Sequence, residues 1–494
     1  MQEKKFSALS RRQFIRRATC AAIGTVGMSS ALRDLRLMNA AVAQSSISDY
    51  KALVCIFLAG GNDSNNLIIP TLTQEYNNYA SIRTPYLAVP RGSLLNLKKP
   101  STSIDYVDPA GHTFGFHPAC PELQTLFGEG KLAALFNTGT LVYPITRDQY
   151  QAGILPTPPQ LFSHADQQMQ WQTSIPDQPA ITGWGGRCAD LLNSLQPGAP
   201  ISLSVSLAGA NTFEIGNQVS QYSVSTDGAI PLAAISDARL TTLTNILGLS
   251  YANLQKQAYA GIAQHSIQSG NLLNNAITNS AATNYWRSPF PVDITVPNGG
   301  IVYGSGLSAQ LLMVARLIEA GNRAAANGGF GMKRQIFFCQ VDGYDLHNGQ
   351  TDYTSAAPKN VILGAHADLL AELSQSLYAF QRGMEQLGLS QNVTAFTASD
   401  FGRTFPSNGA GSDHGWGGHH LICGGAVKGG QTYGIFPTLA VDGPDDTDTG
   451  RWIPTTAIDQ YFATLARWFG VDSSNLSTLF PNVGRFATPN LGFI

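Results

Sequence analysis

An α/β fold with a mostly parallel sheet flanked by helices follows from three features of the 494-residue chain. Three apolar runs are continuous rather than alternating, the mark of strands buried on both faces. Each run stops at a loop rich in Gly and Asp, and amphipathic helical patterns separate the runs. The composition, 43% hydrophobic and 13% charged, suits a large buried core and excludes general disorder.

Taken in order, the first run is Ala52 to Ala59, ending in Gly60-Gly61-Asn62-Asp63. The region from about Gly198 to Phe290 reads differently: β-like alternation at Ser202, Ser204 and Ser206, then an Asn/Ala/Gln-rich helical stretch from Leu240 to Ala282. It is expected to form an inserted cap beside the sheet. A helix from Leu307 to Ala325 precedes the second run, Gln335 to Val341, which leads into Asp342-Gly343-Tyr344-Asp345-Leu346-His347. A second helix, Ala365 to Leu387, carries Leu369, Leu370, Leu373, Leu377 and Phe380 on one face. The third run, Asn392 to Ala398, leads into Ser399-Asp400-Phe401-Gly402-Arg403, and a helix from Ala457 to Phe469 closes the pattern. Gly424 to Gly430 lacks the Lys-Ser/Thr ending of a phosphate loop and reads as a turn between strands. Gly304-Ser305-Gly306 lacks the spacing of a dinucleotide fingerprint.

Charge is distributed unevenly. Residues 1–43 hold eight Lys/Arg against two acids; subtracting these from 30 basic and 32 acidic residues leaves 22 and 30 for residues 44–494. A net charge of -8 there argues against nucleic acid as a partner. The basic start has an order: Ser10-Arg11-Arg12-Gln13-Phe14-Ile15-Arg16, a mild apolar run from Ala18 to Leu32, then Ala41-Val42-Ala43. This resembles a twin-arginine export signal, to be removed after Ala43, so the mature chain is expected to meet the twin-arginine translocase and to be periplasmic or secreted. The apolar run is too short and too rich in small residues to span a bilayer, and nothing later in the chain spans one. Residues 44–494 are then expected to form a single α/β domain, with 198–290 as its cap. The five remaining cysteines are odd in number, widely separated and without a C-x-x-C pair, so no disulfide framework is implied; Cys55 and Cys339 read as small buried hydrophobes, and a disulfide between two of Cys120, Cys188 and Cys423 stays open.

Histidine and aspartate carry the chemical signal. Asp413, His414, His419 and His420 crowd a Gly-rich loop, and Asp with neutral imidazole is the ligand set of zinc, manganese or iron. Asp63, Asp345 with His347, Asp400, and Asp413 with His414 supply six candidate ligands from loops at one sheet edge, enough for two divalent ions; His419 is a seventh candidate. Two adjacent ions clamp the attacking and leaving oxygens of an in-line displacement, which points to hydrolysis or transfer of a phosphoryl or related group. Ser163, followed by His164, and Thr404, beside Arg403, are candidate nucleophiles; Ser163 also stands where a helix would need its N-cap. His112 and His117 read as structural, and His265 and His366 as packing or surface residues.

Together, Gly60 to Leu67, Ser163-His164, Gly343 to His347, Ser399 to Thr404 and Asp413 to Gly418 resemble the domain of unknown function 1501 family over nearly the whole mature chain. The resemblance implies an alkaline phosphatase-like fold, in which a hydroxyl nucleophile sits beside metals held by Asp and His. This chain has Asp400 where the family usually has Glu, Leu346 for Thr, and Phe162 for Arg. The Cys/Ser-x-Pro-x-Arg string of classical sulfatases does not occur. The expectation is an exported metal-dependent hydrolase of a phosphate or sulfate ester or similar small anionic group, with Ser163 attacking and Arg403 or Asn66 stabilising charge. The alternative is a non-catalytic exported protein holding a structural metal and binding an envelope glycan or protein partner.

Overall fold

The computed structural model describes residues 48–196, 198–230, 235–279, 288–297, 300–302, 304–352 and 360–494. The proposed export signal lies outside the described residues. The ten strands of the central sheet are β1 (Lys51–Leu58), β2 (Leu132–Gly139), β3 (Ser204–Ser206), β4 (Tyr222–Ser225), β5 (Gly228–Ala229), β6 (Arg334–Val341), β7 (Val393–Ser399), β8 (Gly418–Gly424), β9 (Thr432–Tyr433) and β10 (Thr456–Ala457). Their order is β9-β2-β8-β7-β1-β6-β3-β4-β5, with β10 also on β2. The five strands from β7 to β4 run parallel, whereas β8 is antiparallel to both β7 and β2. The class expected from sequence, a mostly parallel sheet flanked by helices, is therefore the observed one.

The three apolar runs are β1, β6 and β7, adjacent in the order β7-β1-β6, with Leu58 in register with both Val341 and Ser399. Residues Ala52 to Leu58 are all buried, as expected of a strand covered on both faces. One cover is aromatic: Trp184, on a helix at Trp184–Leu192, stacks on Phe462 of the helix Ile458–Phe469 at 4.5 Å and meets Phe396 of β7 at 5.8 Å. The helices Gly306–Asn322 and Ala365–Gln386 pack against one another and the sheet, burying Leu311, Val314, Leu370, Leu373 and Leu377. Because the three strands are parallel, the loops after Leu58, Val341 and Ser399 leave one edge of the sheet. Open parallel sheets gather their chemistry in that crevice.

Two readings change. The 198–290 region is not all cap, because β3, β4 and β5 extend the central sheet. Its helical stretch is two helices, Asp237–Leu247 and Leu254–Asn279, interrupted after Gly248, and its end falls outside the described residues. Of the two alternatives for His366, packing holds: it is 3% exposed, its Nε2 bonded to Asn62 Oδ1 at 3.0 Å. Cys55, Cys120, Cys188, Cys339 and Cys423 are all buried and free. Ser305 caps its helix by accepting from Ser308 N, and the Gly424–Gly430 segment turns between β8 and β9.

Candidate functional site

Close backbone packing assembles the site. Gly60 adopts φ +115°, and a Cβ there would lie 2.3 Å from Asp345 N. Only glycine lets the loop after β1 press against the loop after β6. Gly402 plays the same part between the loop after β7 and the approach to β8, where a Cβ would lie 2.1 Å from Gly417 O. The glycines thus serve contact between loops rather than flexibility.

At this edge His164, Asp345 and His414 can each offer one atom, all within 4.8 Å of one another; among the described residues this is the group suited to a cation. His414 Nε2 stands 3.1 Å from His164 Nε2, 2.9 Å from His347 Nε2 and 3.3 Å from Asp345 Oδ1. His347 Nε2 is also 3.1 Å from Asp345 Oδ1. Each imidazole is held from behind by an oxygen that can only accept. Asp400 Oδ2 takes His164 Nδ1 at 2.6 Å, Asp413 Oδ1 takes His347 Nδ1 at 2.9 Å, and Phe162 O takes His414 Nδ1 at 2.7 Å. A ring that is neutral therefore carries its proton on Nδ1 and offers its Nε2 lone pair; those of His164 and His414 meet beside Asp345, and His347 Nε2 adjoins His414 and Asp345. Lone pairs at 2.9–3.1 Å repel unless a proton or metal cation lies between them. A carboxylate facing the same volume fits a divalent ion, and the oxygens behind the rings are the supports that metal-binding imidazoles use.

The surrounding groups set the electrostatics. Asp400 is fully buried, its charge met by His164, by Gln168 Nε2 at 2.9 Å and by Gly60 N at 3.2 Å. That bond to Asp400 raises the His164 pKa above its ordinary value, against the effect of burial. Burial lowers that of His414, which favours the neutral ring. For Asp345, burial opposes ionisation, but Arg403 Nη1 at 2.8 Å outweighs it and holds the carboxyl below its usual range. Asp413 is likewise lowered, with burial overcome by hydrogen bonds from Asn408 and His347. Phe162 reaches its carbonyl position with φ +72°, rare for an aromatic residue and the kind of strain found at working sites.

The sequence-derived candidates divide accordingly. Asp345, His347 and His414 come together, with Asp400 and Asp413 directly behind two of the rings. Asp63 stands apart, buried against Arg83 and Gln350, which both bond its Oδ2. Asn66 gives its amide to Leu87 O at 2.9 Å and accepts from Tyr79 at 2.7 Å, leaving neither end for a ligand. His419 is buried beside Phe136 and Phe436, its Nδ1 accepting from Asn137 N at 3.1 Å. Arg403 is 1% exposed and spends its Nη1 and Nη2 on Gly60 O, Asp345 and Ser412 O. Thr404 Oγ1 bonds Pro406 O and accepts from Asp413 N. Ser163 occupies the N-cap position of the helix His164–Thr173, but its hydroxyl makes no cap bond; it donates to Asp166 Oδ2 at 2.6 Å. Sequence reasoning treated His164 only as the neighbour of a nucleophile. Its one signal was the Ser-His pair itself.

The family model described as protein of unknown function (DUF1501) matches residues 50–478. No curated protein matches the chain. Among solved structures it is similar to Ps i-CgsB in complex with k-i-k-neocarrahexaose, at 9% identity and a TM-score of 0.33, covering 90% of this chain and 78% of that one. It is also similar to a protein from Bacteroides thetaiotaomicron, from a core genetic locus for the metabolism of multiple glycosaminoglycans, at 9% identity and 0.33, covering 86% and 74%. A third likeness is to the C-terminal periplasmic domain of EcEptC from Escherichia coli, a complex with Zn, at 9% and 0.26, covering 78% and 75%. Likenesses this distant leave the chemistry to be read from the side chains.

Proposed function

We propose that this chain, which belongs to the family described as protein of unknown function DUF1501, is an exported metal-dependent hydrolase of a phosphate or sulfate ester or similar anionic group. The observation that carries the reading is the convergence of His164, His414 and Asp345, with His347 Nε2 beside His414 Nε2 and Asp345 Oδ1 and every Nδ1 tied to an acceptor. His164, His347, His414 and Asp345 would hold one divalent ion, zinc, manganese or iron, where the sequence suggested two. Such an ion supplies Lewis acidity toward an ester oxygen. Asp400 and Asp413 orient rings rather than bind the ion. Asp63, Asn66 and His419 belong to the frame, and Arg403 steadies Asp345.

Ser163 immediately precedes His164, and its hydroxyl already donates to Asp166. Ser163 Oγ would attack the ester centre as its proton passes to Asp166; the bond to the ester oxygen breaks, and that oxygen takes the proton back from Asp166 and leaves as the alcohol, after which water cleaves the ester formed on Ser163 and frees the phosphate or sulfate. Export rests on the Ser10-Arg11-Arg12 signal, and among the described residues no helix is long and apolar enough to cross a membrane. The alternative, a non-catalytic exported protein with a structural metal that binds an envelope glycan, is favoured by one feature: the Ser163–Asp166 bond lies within a single helical turn and serves that turn equally well.

The test is turnover of nitrophenyl phosphate, its diester and nitrophenyl sulfate by the exported protein, metal-loaded and chelator-treated. Metal-dependent turnover that falls by about 100-fold or more in Ser163→Ala supports the enzyme. A metal-loaded wild type that turns over none of the three leaves the binding reading in its place.

A further inference from the structure

The site has two arginines, and only one is spent inside it. Arg403 is 1% exposed, and its Nη1 and Nη2 are taken by Gly60 O, Asp345 and Ser412 O. Arg451 reaches the site from the segment before β10: its Nε donates to His414 O at 2.8 Å, and its guanidinium lies 4.4 Å from the centre of the Phe162 ring. These two contacts fix the plane of the group against the two residues that hydrogen-bond at His414 Nδ1. The outer nitrogens remain. Nη1 is 3.9 Å from Asp448, which is 65% exposed, while the Arg451 side chain is 27% exposed. A pair that loose and that wet is worth little, so a stronger oxyanion displaces it.

Charge balance gives Arg451 a purpose. With the imidazoles neutral, a divalent ion and Arg403 together offset Asp345, Asp400 and Asp413, so the site has no net positive charge with which to draw in an anion. A pinned guanidinium with a free outer edge is the fork that matches two oxygens of a tetrahedral oxyanion. Resting on the hydrolase reading, we infer that Arg451 is the substrate-recognition residue of this site, binding the phosphate or sulfate group of the ester through its outer nitrogens.

The experiment titrates inorganic phosphate, and separately sulfate, into wild type, Arg451→Gln and Arg451→Lys by calorimetry, with metal content measured on each. Arg451→Gln is expected to bind phosphate about tenfold or more weakly at unchanged metal content, and Arg451→Lys to fall between, keeping the charge but losing the fork. Phosphate affinity unchanged in Arg451→Gln overturns the inference. So does loss of metal or fold in both variants, which would make Arg451 a brace for His414; if only Arg451→Gln fails to fold, Arg451→Lys binding as tightly as wild type overturns it. A wild type that holds metal but binds neither anion refutes the role of Arg451 and spares the metal site. A wild type without metal refutes the hydrolase reading, while the phosphate titration still decides Arg451.

Discussion

Asp400 concentrates the residue-scale argument, because one buried carboxylate accepts from His164 Nδ1 and Gln168 through Oδ2 and from Gly60 N through Oδ1. Asp400→Asn keeps the shape but sets an amide donor against one of those donors. Metal affinity measured against a chelating dye is expected to drop about 10- to 100-fold in the folded variant, the usual cost of removing a group that supports a ligand. An unchanged affinity would show that His164 needs no such support. The sequence placed Asp345, His347, Asp400, Asp413 and His414 on loops of one edge, and the structure brings these five together. It did not separate them by role. Loop position follows from where a strand ends, whereas the direction of a side chain follows from backbone angles such as φ +72° at Phe162, which composition and spacing do not encode. For the same reason Asp63, at the end of the first strand, resembled a ligand until Arg83 was seen against it.

Among the elements, the three central strands were legible to within about one residue at each end, because burial on both faces writes a continuous apolar run. The edge was legible only in part: the alternation at Ser202, Ser204 and Ser206 runs into β3, but β4 and β5 have four and two residues, too short for periodicity to register. The helical stretch from Leu240 concealed its break because Gly248 and the Ser250, Tyr251 and Asn253 beyond it are each tolerated in a helix at modest cost. The joints between loops rest on glycine. Gly60→Ala combines a left-handed backbone with a Cβ 2.3 Å from Asp345 N. It is expected to destabilise the fold by about 2 kcal/mol or more in denaturant unfolding, and to weaken metal binding along with it. Gly484→Ala, where a Cβ meets nothing within 4 Å, is expected to change neither.

Across the whole molecule, stability carries a pH signature set by a buried carboxyl group outside the cation site. Glu214 is fully buried, and burial pushes its pKa up to about 8 from an ordinary 4.5, against hydrogen bonds from Asn211 and Val205. The folded chain keeps this proton to about pH 8, whereas an unfolded chain releases it near 4.5. Its contribution is thus complete at low pH and is lost as pH rises through that window, by about 1.4 kcal/mol per pH unit for one proton. Glu214→Gln is expected to flatten the stability profile there and to unfold later than wild type at pH 9; parallel profiles would mean that Glu214 is ionised in the fold. The central claim is the cation site, and metal content by inductively coupled plasma mass spectrometry, on protein purified without chelators, tests it most directly. The account predicts about one equivalent of zinc, manganese or iron in wild type, lost in a folded His347→Ala, His414→Ala variant. A folded wild type without metal, or a variant that keeps its full equivalent, would contradict it.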